Sequence, residues 1–432
     1  MNFRKEHDAI MKRNQYWYPV DNAGKIFPAV SKDSRSSVFR LSFYLKEEIK
    51  KDVLEEAVNQ VLPRFETFAV ELKSGLFWYY LSANNKPFHV EQEPAVLCKF
   101  FSWQKNNGYL FKVYYFGNKV TLETFHSLTD GTGAMEFLKS IVYMYYELQG
   151  HALEHDGRIR SHSPHDVTGE VDMFVGSYDK SNKKSLTEEP AYHFSGETFA
   201  NNFSLAIRAQ VPTDALLATA KAHNVTIGQF VTAAFAYSIY TCSLGCRTSR
   251  KPIKMFVPVN LRKFFPSNTL RNFSLYIKAT FDGREPWTFE QMLASTKEQY
   301  AKQLTKEDLH RRINSNVSIE KNPLVRFLPL PIKNLAFQIG YFYCAENINT
   351  YSISNLGNIT LPASLEPYVE DVEFALGGTC MAIASIKGHT NLMLNSDFKD
   401  ITTIQYFLKI LTDAGIPVTI DTNYREGLDE IL

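Results

Sequence analysis

The chain has 432 residues, and at roughly 150 residues per domain this length accommodates two or three domains with substantial cores. Its 47 Lys and Arg residues nearly balance its 46 Asp and Glu residues, so the formal net charge of +1 excludes the basic excess typical of a nucleic-acid-binding protein. The 44% hydrophobic and 22% charged residues exclude an intrinsically disordered chain.

The N-terminal stretch MNFRKEHDAIMKRNQYW is charged and lacks the apolar core of a secretory signal peptide. The longest mostly apolar stretch, residues 230–242, is too short to cross a bilayer and contains polar side chains. Five cysteines, odd in number and irregularly spaced, favour reduced thiols. We therefore expect a cytoplasmic protein without a membrane span.

The first strongly patterned elements are a strand and a helix. Residues 37–45 predict the strand, and a helix is predicted from about Glu47. Its apolar residues recur at a spacing of three to four positions: Ile49, Val53, Leu54, Ala57, Val58 and Val61.

The segment 108–149 is the most informative part of the sequence. Residues 109–115 and 119–125 predict two strands of a hairpin, joined by the turn Gly117-Asn118. His126 ends the second strand, and turn-forming residues follow it. A helix is then predicted with these residues on its buried side: Met135, Leu138, Ile141, Val142, Tyr145 and Leu148.

This arrangement places His126 at a strand end, with Asp130 and Gly131 just before a helix. A histidine there can fix one ring nitrogen through a local hydrogen bond and present the other to a cleft as a general base near neutral pH. Asp130 points elsewhere, and if buried it needs a cation or several hydrogen bonds. Gly131 relieves crowding where the loop turns sharply. The alternative is a core histidine, with Asp130 serving only as a helix N-terminal residue.

From about residue 150 to 200 the chain is polar and predicts a linker. Four histidines and two aspartates in this stretch are possible metal ligands: His151, His155, Asp156, His162, His165 and Asp166. A polar stretch of this kind more often forms a solvated loop, so we expect no metal.

The second half repeats the strand-and-helix pattern of the first. Residues 203–211 predict a strand, Thr213 is a plausible cap for a helix to about His223, and Thr226 begins another helix. Further predicted elements are a strand at 256–259, a capping box of Thr288 with Gln291, and a helix at 402–412 ended by Gly415. The sequence therefore predicts an α/β (α+β) protein of two similar two-layer domains, 1–165 and 200–432, joined by a linker at 166–199.

Three segments resemble the chloramphenicol-acetyltransferase-like superfamily, which includes alcohol acetyltransferases, BAHD acyltransferases and the condensation domains of peptide synthetases. Residues 125–131 (FHSLTDG) resemble its His-x-x-x-Asp-Gly signature. Residues 257–262 (VPVNLR), followed by Arg271-Asn272-Phe273, resemble its arginine-bearing stretch, and residues 352–357 (SISNLG) resemble its Ser-Asn-x-Gly segment. The resemblance spans nearly the whole chain and is closest to the alcohol-acetyltransferase branch.

The resemblance implies a V-shaped pseudo-dimer with an interdomain channel, in which His126 deprotonates an alcohol or amine that attacks a thioester. It also implies that Asp130 is structural and paired with Arg262, and that Ser354 and Asn355 lie near the developing oxyanion. The implied donor is acyl-CoA or an acyl-carrier-protein thioester, and no cofactor is permanently bound. The implied protein is a monomer whose partners are small molecules and, as an open alternative, an acyl carrier protein.

Two departures narrow this interpretation. Condensation domains usually have a second histidine where this chain has Phe125, which argues against peptide-bond synthesis. Plant-type BAHD enzymes carry Asp-Phe-Gly-Trp-Gly, whereas this chain has Asp397-Phe398-Lys399-Asp400. Two alternatives stay open: a non-catalytic homologue that binds an acyl or peptide ligand, and a catalyst that uses carrier-protein thioesters.

Overall fold

The structure is a computed structural model, and it describes residues 17–162, 172–179 and 188–425. The strands of the described residues are β1 Trp17–Pro19, β2 Val38–Leu45, β3 Val70–Ser74, β4 Tyr79–Ala83, β5 Glu91–Gln92, β6 Phe111–Phe116, β7 Lys119–Phe125, β8 Leu205–Pro212, β9 Ile253–Asn260, β10 Ser274–Phe281, β11 Tyr351–Asn358, β12 Val369–Leu376, β13 Cys380–Ile386, β14 His389–Ser396 and β15 Thr419–Thr422. The helices are α1 Phe27–Val30, α2 Lys51–Val61, α3 Gly131–Leu148, α4 Met173–Gly176, α5 Thr213–Ala222, α6 Ile227–Ser238, α7 Phe289–Gln303, α8 Lys306–Lys321, α9 Pro323–Arg326, α10 Leu330–Tyr341 and α11 Thr402–Asp413.

Two large sheets carry the architecture, and each has helices packed against it. The first has the order β12-β2-β7-β6-β5, and α2 and α3 pack together beside it. The second has the order β10-β9-β11-β13-β14-β8-β15, with β11 parallel to both of its neighbours. A small third sheet has the order β1-β4-β3. The mixed α/β, two-domain fold class predicted from the sequence is therefore confirmed.

Strand β12 crosses between the two halves of the chain. It belongs to the C-terminal half in sequence, yet it pairs antiparallel with β2 at the edge of the first sheet, where Val372 lies opposite Phe43. Its apolar residues Val369, Val372 and Phe374 join the core of the N-terminal half. The domain boundary predicted at about residue 200 does not account for this strand, whose pairing with β2 joins the two halves.

Several element boundaries in the first half differ from the prediction. Helix α2 begins at Lys51 and not near Glu47, because Ile49 donates its backbone N–H to Gly117 of the hairpin turn. Strand β6 begins at Phe111, since Tyr109 pairs instead with Glu71 of β3. Leu148, predicted to be buried, is exposed at the last turn of α3.

The predicted helix ends of the second half are mostly present. Thr226 and Thr288 each form a capping box with the glutamine three residues later, and Gly415 has a φ of +77° just after α11. The Thr213 cap is wrong: Pro212 occupies that position, and the Thr213 hydroxyl lies 2.8 Å from the hydroxyl of Thr390 on β14.

The predicted linker is described only in part. His165 and Asp166 lie outside the described residues, as does much of the rest of this segment. Where it is described, Phe174 packs edge-on against Phe273, with ring centroids 5.5 Å apart. The described residues contain no group of three or more His, Cys, Asp or Glu side chains able to hold a metal ion. They also contain no helix with the length and apolar character needed to traverse a bilayer.

Candidate active site

A cavity of about 1380 Å³ lies between the two halves. Its lining includes His126, Asp130 and Gly131 from the first half, and Ser354 and Asn355 from the second. Arg262 is not part of the lining and lies behind the wall, in the one-turn 3-10 helix Leu261–Lys263 that follows β9. The six residues predicted from the sequence therefore belong to one region of the molecule.

His126 is half-buried directly after β7, and its ring is held between aromatic side chains. It stacks on Phe27 with centroids 4.6 Å apart, and it meets the edge of Phe39 at 5.2 Å. Its backbone N–H donates to Ser37 at 2.9 Å, which extends the strand pairing by one residue. These contacts restrain the ring and leave one side of it at the cavity.

The protonation of the His126 ring follows from the side chain of Asn272. The Asn272 Nδ2 group donates to the His126 carbonyl at 3.0 Å and to the Asp21 carboxylate at 3.1 Å. This fixes the amide, so that its Oδ1 faces His126 Nδ1 at 3.0 Å and must accept a hydrogen bond from the Nδ1–H group. The Nδ1 atom is therefore protonated, and Nε2 carries the lone pair of the neutral imidazole.

The surroundings favour that neutral form. Burial lowers the pKa of His126 below its usual value of 6.5, against the opposing effects of hydrogen bonds and of the Asp130 charge. Burial raises the pKa of Asp21 to about 6, although Arg271 lies 3.7 Å away and opposes this shift. His126 is thus neutral near pH 7, which is the form that a general base requires.

Asp130 uses both carboxylate oxygens in structural contacts. As the N-cap of α3, its Oδ1 accepts from the backbone N–H groups of Thr132 and Gly133, each at 3.1 Å. Its Oδ2 accepts from Arg262 Nη1 at 2.7 Å and from the backbone N–H of Phe273 at 2.9 Å. By accepting these four hydrogen bonds, the carboxylate joins the start of α3 to the second half of the chain.

Arg262 is held on all sides in the same way. Its guanidinium donates to the backbone carbonyls of Thr269, at 2.9 and 3.0 Å, and of Arg271, at 2.7 Å. A side-chain contact with Asn260, whose amide in turn bonds Thr132 on α3, completes the connection. The buried pair Asp130–Arg262 is therefore compensated by hydrogen bonds as well as by charge.

Two glycines allow the halves to approach at this point. A Cβ atom on Gly133 would lie 2.2 Å from the backbone carbonyl oxygen of Leu270, so only glycine fits there. At Gly131 the neighbour is the side chain of Leu356 on β11, 2.7 Å from such an atom. Gly131 therefore lies against the opposite wall, and its predicted role in relieving crowding at the turn stays a prediction.

Strand β11 supplies that opposite wall. Its pairing with β13 shifts register between Asn355 and Gly357, which leaves Leu356 as the extra residue of a bulge. Asn355 is exposed to the cavity, and its Oδ1 accepts the backbone N–H of Gly357 at 2.7 Å. This contact turns the Nδ2 donor outward, and Ser354 is half-buried beside it. Both side chains can donate hydrogen bonds to a ligand.

Sequence reasoning missed two residues of this site. Asn272 stands in the segment used for the resemblance, but no role was given to it. Asp21 had no sequence signal at all, because it is 251 residues from Asn272 along the chain. Only the folded chain shows that the two residues set the orientation and protonation of His126.

No family model matches the sequence, and no curated protein matches it. Solved structures do match. Polyketide synthase associated protein 5 from Mycobacterium tuberculosis gives a TM-score of 0.61 at 12% identity, covering 91% of this chain and 98% of that one. F. graminearum TRI101, solved with coenzyme A and T-2 mycotoxin, gives 0.62 at 10% identity, with 93% and 99% covered.

A third match is the condensation domain of the Monacolin K polyketide synthase MokA, with a TM-score of 0.56 at 12% identity and coverage of 92% and 96%. The three matches extend over more than nine tenths of every chain involved. At these identities the similarity establishes the fold that the chain shares with them, and function has to be argued from the site.

Proposed function

We propose that the protein transfers an acyl group from a thioester, acyl-CoA in the first instance, to the hydroxyl or amine of a small acceptor. One observation carries the proposal: His126, with Nδ1 engaged by Asn272, lines the cavity between the two halves. The fold is shared with a protein solved in complex with coenzyme A, which supports the choice of donor.

The proposed reaction needs only one base. Nε2 of His126 takes the proton of the acceptor O–H or N–H as the acceptor attacks the thioester carbonyl carbon. The tetrahedral intermediate then expels the thiolate, and the imidazolium returns the proton to its sulfur. The products are an ester or amide and a free thiol, and the histidine is regenerated.

The other site residues prepare this reaction. Asp130 and Arg262 hold the loop that presents His126, while Asn272 keeps its tautomer. Asn355 and Ser354 are the proposed donors to the negative oxygen of the intermediate, where one preorganised donor contributes about 3 kcal/mol. Binding both substrates in one cavity supplies proximity, a large part of such rate enhancements.

The proposal includes a monomer that acts in the cytoplasm without a permanent cofactor. Carrier-protein thioesters are the second donor class, because the fold is also that of the condensation domain of MokA. Phe125 in place of a second histidine favours CoA over carrier-bound peptide donors.

Thiol release by the purified protein tests the function. A panel of acyl-CoA chain lengths is combined with a panel of alcohols and amines, and the free thiol and the acylated acceptor are both quantified. We expect acceptor-dependent release with one thiol per acylated product. Comparing acyl-CoA with the same acyl group on a carrier protein distinguishes the two donor classes, and absence of acceptor-dependent release from every thioester would contradict the proposal.

A further inference from the structure

Helix α10 sends polar side chains toward the protein body as well as apolar ones. Lys333 is buried and donates to the Phe77 carbonyl at 2.7 Å, and Gln338, although exposed, donates to the Ala29 carbonyl at 2.8 Å. Asn334 likewise donates to the Tyr79 hydroxyl at 2.9 Å. A helix on the surface of a globular protein normally presents such groups to water.

The opposite side of this region is apolar and exposed. We call it the apolar outer face, and its large side chains are between 50% and 83% exposed: Leu324, Phe327, Ile332, Leu335, Ile339 and Phe342. Helix α11 shows the ordinary arrangement, with Ile404, Phe407 and Leu411 buried and the Lys409–Asp413 pair exposed. A group of large exposed apolar side chains of this kind is typical of an interaction site.

The charges around the apolar outer face identify the kind of partner. Residues 321–345 contain no Asp or Glu, whereas Lys321 and Arg326, next to Leu324 and Phe327 in sequence, are exposed; their charged groups lie over the rings of Tyr178 and Phe327. The adjacent acids are engaged, Glu320 with Lys25 and Glu346 with Arg35. An apolar face with a positive rim is complementary to an anionic lipid surface, where apolar side chains enter the interface and Lys or Arg meets the headgroups.

We propose that the apolar outer face docks the protein on anionic membranes. A second copy of the chain is a poorer occupant, because a two-fold contact places the same surface against itself and would bring two positive rims together with no acid in the patch. Aromatic residues such as Phe327 and Phe342 also suit the boundary between headgroups and acyl chains.

The position of α10 connects this surface to the candidate active site. Tyr341, its last residue, lines the cavity, and the Arg35 guanidinium lies over its ring at 4.7 Å. Docking through α10 therefore brings the mouth of the cavity close to the lipid. If the proposed function holds, the substrate is an apolar acceptor or a long-chain acyl donor that is dissolved in the bilayer.

The test is co-sedimentation of the full chain with vesicles. We expect binding to vesicles of phosphatidylcholine with about one third phosphatidylserine, weaker binding to phosphatidylcholine alone, and loss of binding as salt rises. The double variant Leu335→Ser/Ile339→Ser should lower the partition coefficient at least tenfold. The matched controls Phe116→Ser and Ile420→Ser, which remove apolar side chains of similar exposure from other elements, should bind as the parent does.

Three outcomes would overturn the proposal. The first is that the protein binds neither type of vesicle, and the second is that the control variants lose vesicle binding as much as the double variant does. The third is that the double variant changes only self-association, measured by sedimentation velocity. Failure of this proposal is separable from failure of the proposed function. His126→Ala should bind vesicles normally, and the double variant should release thiol normally with a short, water-soluble substrate pair.

Discussion

The two walls of the cavity are built differently. On the wall of His126, buried polar groups are tied to both halves of the chain, as the four donors to Asp130 and the Asn272 contacts with Asp21 and His126 illustrate. On the wall of β11, the described contact of the Asn355 side chain is a single local one, to Gly357. The first wall is therefore fixed by hydrogen bonds to both halves of the chain, whereas the Asn355 side chain of the second wall is fixed by a contact within its own strand.

The largest expected effect comes from the base itself. We predict that His126→Ala lowers the turnover number for thiol release by about 10²–10⁴. The melting temperature and the dissociation constant for acyl-CoA should stay near the parental values, because the ring lies at the cavity. A variant with near-normal turnover would remove the general-base role.

The next effect is on stability. Asp130→Asn keeps a residue able to cap α3 but leaves the Arg262 guanidinium without its counter-charge, so we expect the free energy of unfolding to fall by about 3–5 kcal/mol. Asp421→Asn, at the exposed pair with Arg208, is the matched control and should cost about 0–1 kcal/mol. Equal denaturation midpoints for the two variants would show that the pair of Asp130 and Arg262 contributes no more to stability than an exposed ion pair does.

Asn355 tests the second wall. Removal of one proposed oxyanion donor in Asn355→Ala should lower the turnover number about 10²-fold. Because the side chain is exposed to the cavity, the melting temperature should be unchanged. A variant that loses stability and keeps its turnover would reverse the contrast between the walls.

Replacing Asn272 should have a smaller effect on the turnover number and should also lower the stability of the protein. Asn272→Ala leaves Asp21 and the His126 carbonyl without their donor, at an expected cost of about 1–3 kcal/mol in unfolding free energy. It also frees the His126 tautomer, so the turnover number should fall about 10–100-fold, the usual loss when an outer partner is removed. A loss of rate without any loss of stability would place Asn272 outside the network described.

Local features of the fold were predictable from the sequence, and distant ones were not. The hairpin before His126 and the capping boxes at Thr226 and Thr288 follow from residues close together in the chain. The Thr213 cap failed because a hydroxyl on β14, far away in sequence, competes for that side chain.

The site divides in the same way. A strand end followed by a glycine-rich turn marked the place of His126, and the resemblance brought Arg262 to Asp130, where the structure has it. Three other features depend on residues that meet only after folding: the pairing of β12 with β2, the Asp21–Asn272 contact, and the contact of Lys333 on α10 with Phe77. No local sequence pattern predicts them.

If neutral His126 accepts the proton of the attacking group, its titration should appear in the pH dependence of kcat/KM for acyl transfer. This dependence is measured in the parent and in His126→Ala. Since burial lowers the pKa of His126, the neutral base should persist below pH 6.5, and activity should fall only as the pH drops through that lowered pKa. We expect an acid limb with a midpoint below 6.5 that is absent from the residual activity of His126→Ala. A midpoint above 6.5, or a limb that survives in the variant, would show that another group takes the proton.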